Sequence, residues 1–149
     1  MKNPQHGLPC ACAAARQAAR VLTQFYDNRM RSSGLEAPQF TLMMTLEKAG
    51  PCSQVELGRL FALDKTTVSR NLRLLERNGW IEAVAASDKR LRRFTLTGAG
   101  RKRLEAAKPK WKKVQDQLRR SMTVEQWEAM FQTFRKITQV VQNQPDQFL

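Results

Sequence analysis

Apolar residues recur along this chain at two spacings, and the switch between them marks out its elements. Leu8, Cys12, Ala15, Ala19, Leu22, Tyr26 and Met30 follow one another at gaps of three and four. That stripe predicts a helix from just after Pro9 to about Arg31. Pro38 can open a second, shorter helix in which Phe40, Met43, Met44 and Leu46 are mostly buried, and Gly50 ends it. Ser53-Gln54-Val55-Glu56 has the form of a capping box, in which hydroxyl and carboxylate satisfy each other's orphan amides. A third helix therefore starts at Ser53, with Val55, Leu57 and Leu60 supplying much of its apolar content. Asp64 can cap a fourth, whose buried edge is Val68, Leu72 and Leu75 and whose stop signal is Gly79. Only Ala62-Leu63-Asp64 separate the two helices, so the chain must turn sharply, as in a helix-turn-helix.

Beyond Gly79 the spacing changes. Trp80 to Ala85 and Arg92 to Leu96 have β character and flank the polar tip Ser87-Asp88-Lys89-Arg90, which predicts a two-stranded hairpin. Such a hairpin cannot stand alone in water and must lie against the preceding helices. Thr97 can cap a long fifth helix with Leu104, Ala107, Trp111, Val114, Leu118 and Met122 on one stripe; Pro109 lies inside it and is expected to kink it. Thr123 and Gln126 form another capping box, opening a last helix with Trp127, Met130, Phe131, Phe134, Ile137 and Val141 on one side. The expected order is α-α-α-α-β-β-α-α: a mainly α chain with a two-stranded β wing. It reads as one domain over 1–149, with a winged helix-turn-helix at about 38–100 between helical segments at about 9–31 and 101–142.

Charge adds a partner. Twenty-six Lys and Arg oppose 13 Asp and Glu, a net charge of +13. The surplus is concentrated in the middle and second half, whereas the stretch after residue 120 is neutral to acidic. A coat serving solubility alone has no reason to stop there, so one part of the molecule is expected to meet a polyanion. No run approaches the roughly 18 apolar residues of a membrane span, and the start lacks the order of a secretory signal. Three cysteines, an odd number, argue against a disulfide framework and for a reducing cytoplasm. The lone histidine, His6, lies near the start, leaving no Ser-His or metal-His arrangement within the fold. The expectation is a protein that is not an enzyme, with no cofactor and no metal.

The fourth helix turns Lys65, Thr66, Thr67, Arg70, Asn71, Arg73 and Arg77 away from its core edge. This mix suits a DNA major groove, where Thr reaches base edges and thymine methyls, Arg grips guanine and Lys holds phosphate. The N-terminal half of a recognition helix approaches the bases. Thr66, Thr67 and Arg70 are accordingly assigned to base edges, and Lys65, Arg73 and Arg77 chiefly to phosphate. Ser53 is counted as a further DNA contact. The hairpin tip carries Lys89, Arg90, Arg92 and Arg93 within five residues, next to Asp88, and a guanidinium inserted into a narrow minor groove gains from its negative potential. The basic fifth helix is expected to touch phosphate with its first residues and to offer its later lysines to solvent. Cys10 and Cys12, two positions apart, point about 200° from each other on a helix and cannot jointly clamp a metal. With His6 and Cys52 they form the one redox-like or metal-like set. The plainer reading, Cys12 as a small apolar stripe residue and Cys52 as a loop residue, is set above a redox sensor at Cys12 and Cys10.

Residues Ser53 to Gly100 resemble the MarR family of multiple antibiotic resistance regulators, in the segments SQVELGRLFALDKTTVSRNLRLLERNGWIE and SDKRLRRFTLTGAG. DKTTVSRNLRLLERNG matches the family's recognition helix, and DKR before FTLT stands at its Asp-x-Arg wing signature, so that Asp88 and Arg90 correspond to the wing pair. Leu91 departs from the small or polar residue that many members carry after the wing arginine. The opening CACAAARQAARVLTQFYD resembles the first helix of one branch, so the resemblance runs over about residues 10–142. It implies a two-fold dimer built from the N- and C-terminal helices, binding a pseudo-palindromic site in double-stranded DNA. It also implies a cleft for a small, aromatic or anionic effector, for which Tyr26, Met30, Met43 and Met44 are candidate walls or equally core. The function so implied is a repressor released by a small-molecule or oxidant signal. The alternative is a basic nucleic-acid-binding protein with little sequence preference, marked by a steep salt dependence and a small specificity ratio.

Overall fold

The computed structural model describes residues 10–85 and 92–143. It consists of α1 (Ala11–Met30), a 3-10 turn (Arg31–Ser33), α2 (Ala37–Ala49), β1 (Cys52–Ser53), α3 (Gln54–Phe61), α4 (Lys65–Arg77), β2 (Ile81–Val84), β3 (Arg93–Leu96), α5 (Gly98–Arg120) and α6 (Val124–Gln142). Two compact units meet within α5, one ending at Trp111 and the other starting at Lys112.

In the first unit, α2 enters on a Glu36–Gln39 capping box, and α3 on that of Ser53 and Glu56. Ala62 closes α3 in the left-handed region at φ +50°, an uncommon conformation for a residue with a Cβ, and the Leu63 amide donates back to the Gly58 carbonyl at 2.9 Å. A Cβ on Gly58 would stand 3.3 Å from the Leu63 carbonyl oxygen, so any side chain there would need the turn to give by a few tenths of an ångström. Asp64 then caps α4 by accepting from the Thr67 amide at 2.9 Å. The core gathers Phe40, Leu42, Met43 and Leu46 of α2, Leu57 of α3, Val68, Leu72 and Leu75 of α4, and Leu104 and Ala107 of α5. At about 1.5–3 kcal/mol per fully buried aliphatic side chain, the Val68, Leu72 and Leu75 edge alone fixes which face of α4 points outward.

The hairpin differs from expectation in having a third strand. The sheet order is β1-β3-β2, antiparallel throughout, with Cys52 opposite Phe94 and Ile81 opposite Leu96. Phe94 and Leu96 point inward in alternation with Arg93 and Thr95. The α5 start is pinned at the sheet's end, where the Thr97 hydroxyl donates to the Gly79 carbonyl at 2.6 Å and accepts from the Gly100 amide at 3.0 Å. The backbone is so close there that a Cβ on Gly100 would fall 1.9 Å from the Trp80 carbonyl oxygen. α5 runs on through Pro109.

The second unit is simpler. α6 opens on the expected Thr123–Gln126 box, and Trp127 packs edge-on against Phe131 with centroids 5.2 Å apart. None of its residues is buried. Among the described residues no helix is long and apolar enough to cross a membrane.

Candidate nucleic-acid interface

α4 presents its outer surface because its inner edge is consumed by the core. Lys65, Thr66, Arg70, Arg73 and Arg77 are exposed, and with Ser69 and Leu74 they line an open concavity of about 780 Å³ along the helix. Thr66, Arg70, Arg73 and Arg77 follow the i, i+4, i+7, i+11 spacing of a single stripe. Among the described residues no acid pairs with Lys65, Arg70, Arg73 or Arg77, so their charge is directed outward. Ser69 belongs to this surface and was absent from the sequence-based assignment; its place between Thr66 and Arg70 on the outer face was the available signal.

Several of the polar residues named for DNA contact already hydrogen-bond or pair within the protein. Ser53 is only 6% exposed, and its hydroxyl accepts the Glu56 amide at 3.2 Å, so it serves the α3 cap and not a groove. Thr67 donates its hydroxyl proton to Asp64 Oδ2 at 2.6 Å and is half-buried, which turns its polar group toward the cap instead of a base edge. Asn71 likewise donates to the Thr67 carbonyl at 3.0 Å. Arg92 pairs with Glu76 of α4 at 2.8 Å and lies over the Phe94 ring, bracing the hairpin root against α4. The tip residues Asp88, Lys89 and Arg90, with Leu91, lie outside the described residues, as does His6.

The caps are electrostatically tuned. The Thr67 hydroxyl and amide hold the Asp64 carboxyl below the usual aspartate range. Glu56 is lowered chiefly by hydrogen bonds from Ser53, with Arg93 adding to the effect at 3.1 Å. Arg93 also donates twice to the Pro51 carbonyl, at 3.1 and 2.6 Å, and so ties β3 to the chain before β1.

On α5, Lys108 bridges Glu47 of α2, at 2.8 Å, and Glu105. Arg103 donates to the Ser33 carbonyl at 2.9 Å and covers the Trp80 ring. Both make specific contacts across the fold, although Arg103, like Arg101 and Lys102 at the helix start, is exposed.

Cys52, expected in a loop, is a buried strand residue. Burial first, and Glu56 second, push its thiol up against the opposing effect of Arg93, which disfavours the reactive thiolate. Cys10, at the N-cap of α1, and Cys12 in its first turn are exposed. Among the described residues no group of three His, Cys, Asp or Glu side chains is placed to hold a metal. Of the candidate cleft residues, Met30 and Met43 are core. Tyr26 instead lines a concavity of about 260 Å³ with Leu22, Phe40 and Trp111, and burial raises its phenol above the ordinary value.

Known proteins resemble the chain over most of its length. Residues 33–91 match the model of the MarR family. The uncharacterized HTH-type transcriptional regulator YwoH of Bacillus subtilis is 28% identical over 123 residues, 83% of this chain and 90% of that one. The M. tuberculosis transcriptional regulator MosR, solved in complex with DNA, matches with a TM-score of 0.80 at 32% identity, covering 89% of this chain and 96% of that one. A probable transcriptional regulator from Pseudomonas aeruginosa matches with a TM-score of 0.77 at 26% identity, covering 87% of this chain and 97% of that one.

Proposed function

The chain belongs to the MarR family of winged helix-turn-helix transcriptional regulators, and from that premise we propose that it binds double-stranded DNA sequence-specifically, as a homodimer, in the cytoplasm. The observation that carries this reading is the outer stripe of α4, where Thr66, Arg70, Arg73 and Arg77 stand exposed with Lys65 and no acid neutralises them among the described residues. Thr66, Ser69 and Arg70 read base edges, while Lys65, Arg73 and Arg77 hold phosphate. Between β2 and β3 the sequence carries Asp88, Lys89 and Arg90, and Arg90 is the residue we assign to the minor groove. The Glu76–Arg92 pair, exposed as it is, contributes little stability and can yield to a phosphate.

Dimerisation is supported by α6, whose apolar residues Phe131, Phe134, Ile137 and Val141 are exposed in a single chain, and by the exposed N-terminal half of the α1 stripe. Duplication places two recognition helices about 34 Å apart on a pseudo-palindromic operator. We read the regulator as a non-enzymatic repressor relieved by a signal. The concavity at Tyr26, Phe40 and Trp111, aromatic on several sides, suits a small aromatic effector. Oxidation of the exposed Cys12, or of Cys10, is the second route, tested by whether mild peroxide releases DNA from the wild type but not from Cys12→Ser.

The test is selection of bound fragments from the source genome, followed by titration of a selected and a scrambled duplex. A ratio of affinities on the order of ~10³ or more is expected of a regulator. A ratio near unity, with a steep salt dependence, belongs to a general basic nucleic-acid binder and overturns the reading.

A further inference from the structure

We propose that Arg103 is a positioning residue for DNA reading: held between the end of α1 and the residue that links α4 to β2, its guanidinium fixes the angle of α4 and so the half-site spacing the dimer accepts. This rests on the dimeric DNA-binding reading above and extends it to a residue of α5 that lies outside the α4 stripe. Arg103 Nη1 donates to the Ser33 carbonyl at 2.9 Å, and its guanidinium carbon lies 4.9 Å from the centroid of the Trp80 ring.

Both partners are themselves held. Ser33 ends the turn that follows α1 and is buried; its hydroxyl donates to the Met30 carbonyl at 2.6 Å and accepts the Leu35 amide at 3.3 Å. The Trp80 amide donates to the Leu75 carbonyl of α4 at 3.0 Å, and the Trp80 carbonyl accepts the Thr97 amide at 3.1 Å. α5 starts against that same carbonyl, with Gly100 in contact. Arg103 stands three residues further on, and helical side chains lean toward the N-terminus, which carries its guanidinium back over the ring. On the other side Gly34, at φ +72°, leaves the space open, since a Cβ there would stand 3.1 Å from Arg103 Nη1. One side chain thus joins the end of α1 to the end of α4.

The apolar core between α2 and α4 holds these helices together, but burial is non-directional. A hydrogen bond and a cation over a ring are directional, and the planar guanidinium can make both at once where an ammonium cannot. Arg103 is exposed, so the contact adds little to stability, and its consequence is geometric. In the dimer the exposed half of α1 belongs to the apolar surface that joins the protomers, and two copies of α4 must meet grooves about 34 Å apart. One added base pair turns a half-site by roughly a tenth of a turn and moves it about 3.4 Å. Angular play in α4 would let the dimer tolerate that change.

The full-length protein tests this with the selected operator and with two versions in which one base pair is added or removed between the half-sites. Wild type should prefer the selected spacing by about tenfold or more, and Arg103→Met by about threefold or less, with the dimer and the thermal midpoint retained. The slope of log affinity on log salt should not change, because no phosphate contact is lost. Trp80→Leu should flatten the preference as much, and the double variant no further, as expected of two residues acting through one contact. An equal fall on all three duplexes with a shallower salt slope would make Arg103 a phosphate contact, and an unaltered preference would make it a surface tie alone. Either result overturns the proposal, as would additive losses in the double variant. Failure of the underlying reading looks different, since wild type would then bind selected and scrambled duplexes equally.

Discussion

α4 and α6 are both amphipathic helices opened by side-chain caps, yet the chain completes them differently. The apolar edge of α4 is fully enclosed by its own unit, and what remains outside is cationic. α6 has no buried residue, and what it leaves outside is apolar, with Phe134 44% and Val141 64% exposed. The first helix is finished toward the protein and leaves cations outside; the second leaves apolar side chains outside. Composition alone does not separate these cases, because each helix mixes charged and apolar residues. The separation comes from which face the surrounding elements cover.

The largest effect should come from breaking the α6 side of this contrast. Phe134→Glu places a charge in the exposed apolar face, and at a hot-spot aromatic the expected loss of about 2–4 kcal/mol is on the order of a hundredfold in association. Light scattering should report a monomer and circular dichroism an unchanged helix content, and operator binding should fall with the loss of the dimer. On the DNA side, Arg90→Ala should weaken operator binding substantially while Arg119→Ala, on the far part of α5, does little; equal effects would argue against the wing. Arg70→Ala should cost about 1–3 kcal/mol and relax preference at one position of the half-site. A uniform loss at every position would instead make Arg70 a phosphate contact.

Smaller effects sharpen how α4 is held. Asp64 binds a proton less readily in the folded than in the unfolded chain, because Thr67 hydrogen-bonds its ionised form. Its contribution to stability is therefore complete above the ordinary value of about 3.9 and disappears as pH falls through the lower folded value. In urea titrations, the gap between wild type and Asp64→Asn should stay constant down to about pH 5 and close in more acid solution. A gap that widened with acid would contradict the cap. The smallest change is expected from Ala62→Gly, which relieves a left-handed Cβ at φ +50° and should raise stability by up to about 1 kcal/mol. A higher thermal midpoint would register it, and a lower one would mean that the alanine methyl packs.

Much of this frame was legible because caps and stripes are local. Ser53 with Glu56, Asp64 before α4, and Thr123 with Gln126 each announce a helix start through two residues at fixed spacing, and each cap forms as read. β1 was not legible: two residues cannot display an alternation, and their pairing partner Phe94 is far along the chain. The roles of site residues were legible by face and not by partner. Arg70 and Arg73 are outward as their helical position requires, whereas Thr67 and Arg92, equally polar, are claimed by Asp64 and Glu76. Side-chain type says what a residue can bind, and only the fold says what reaches it first. Lys108 and Arg103 repeat the point on α5, where a run that reads as a basic coat supplies ties to Glu47 and Ser33.

In the proposed complex the α4 stripe is used in duplicate on one duplex. Sedimentation of wild-type protein with a selected duplex, paired with hydroxyl-radical footprinting of the same complex, tests it most directly. Two protomers per duplex and two protected half-sites about one helical turn apart are expected. One protomer per duplex, or protection without a two-fold pattern, would contradict it.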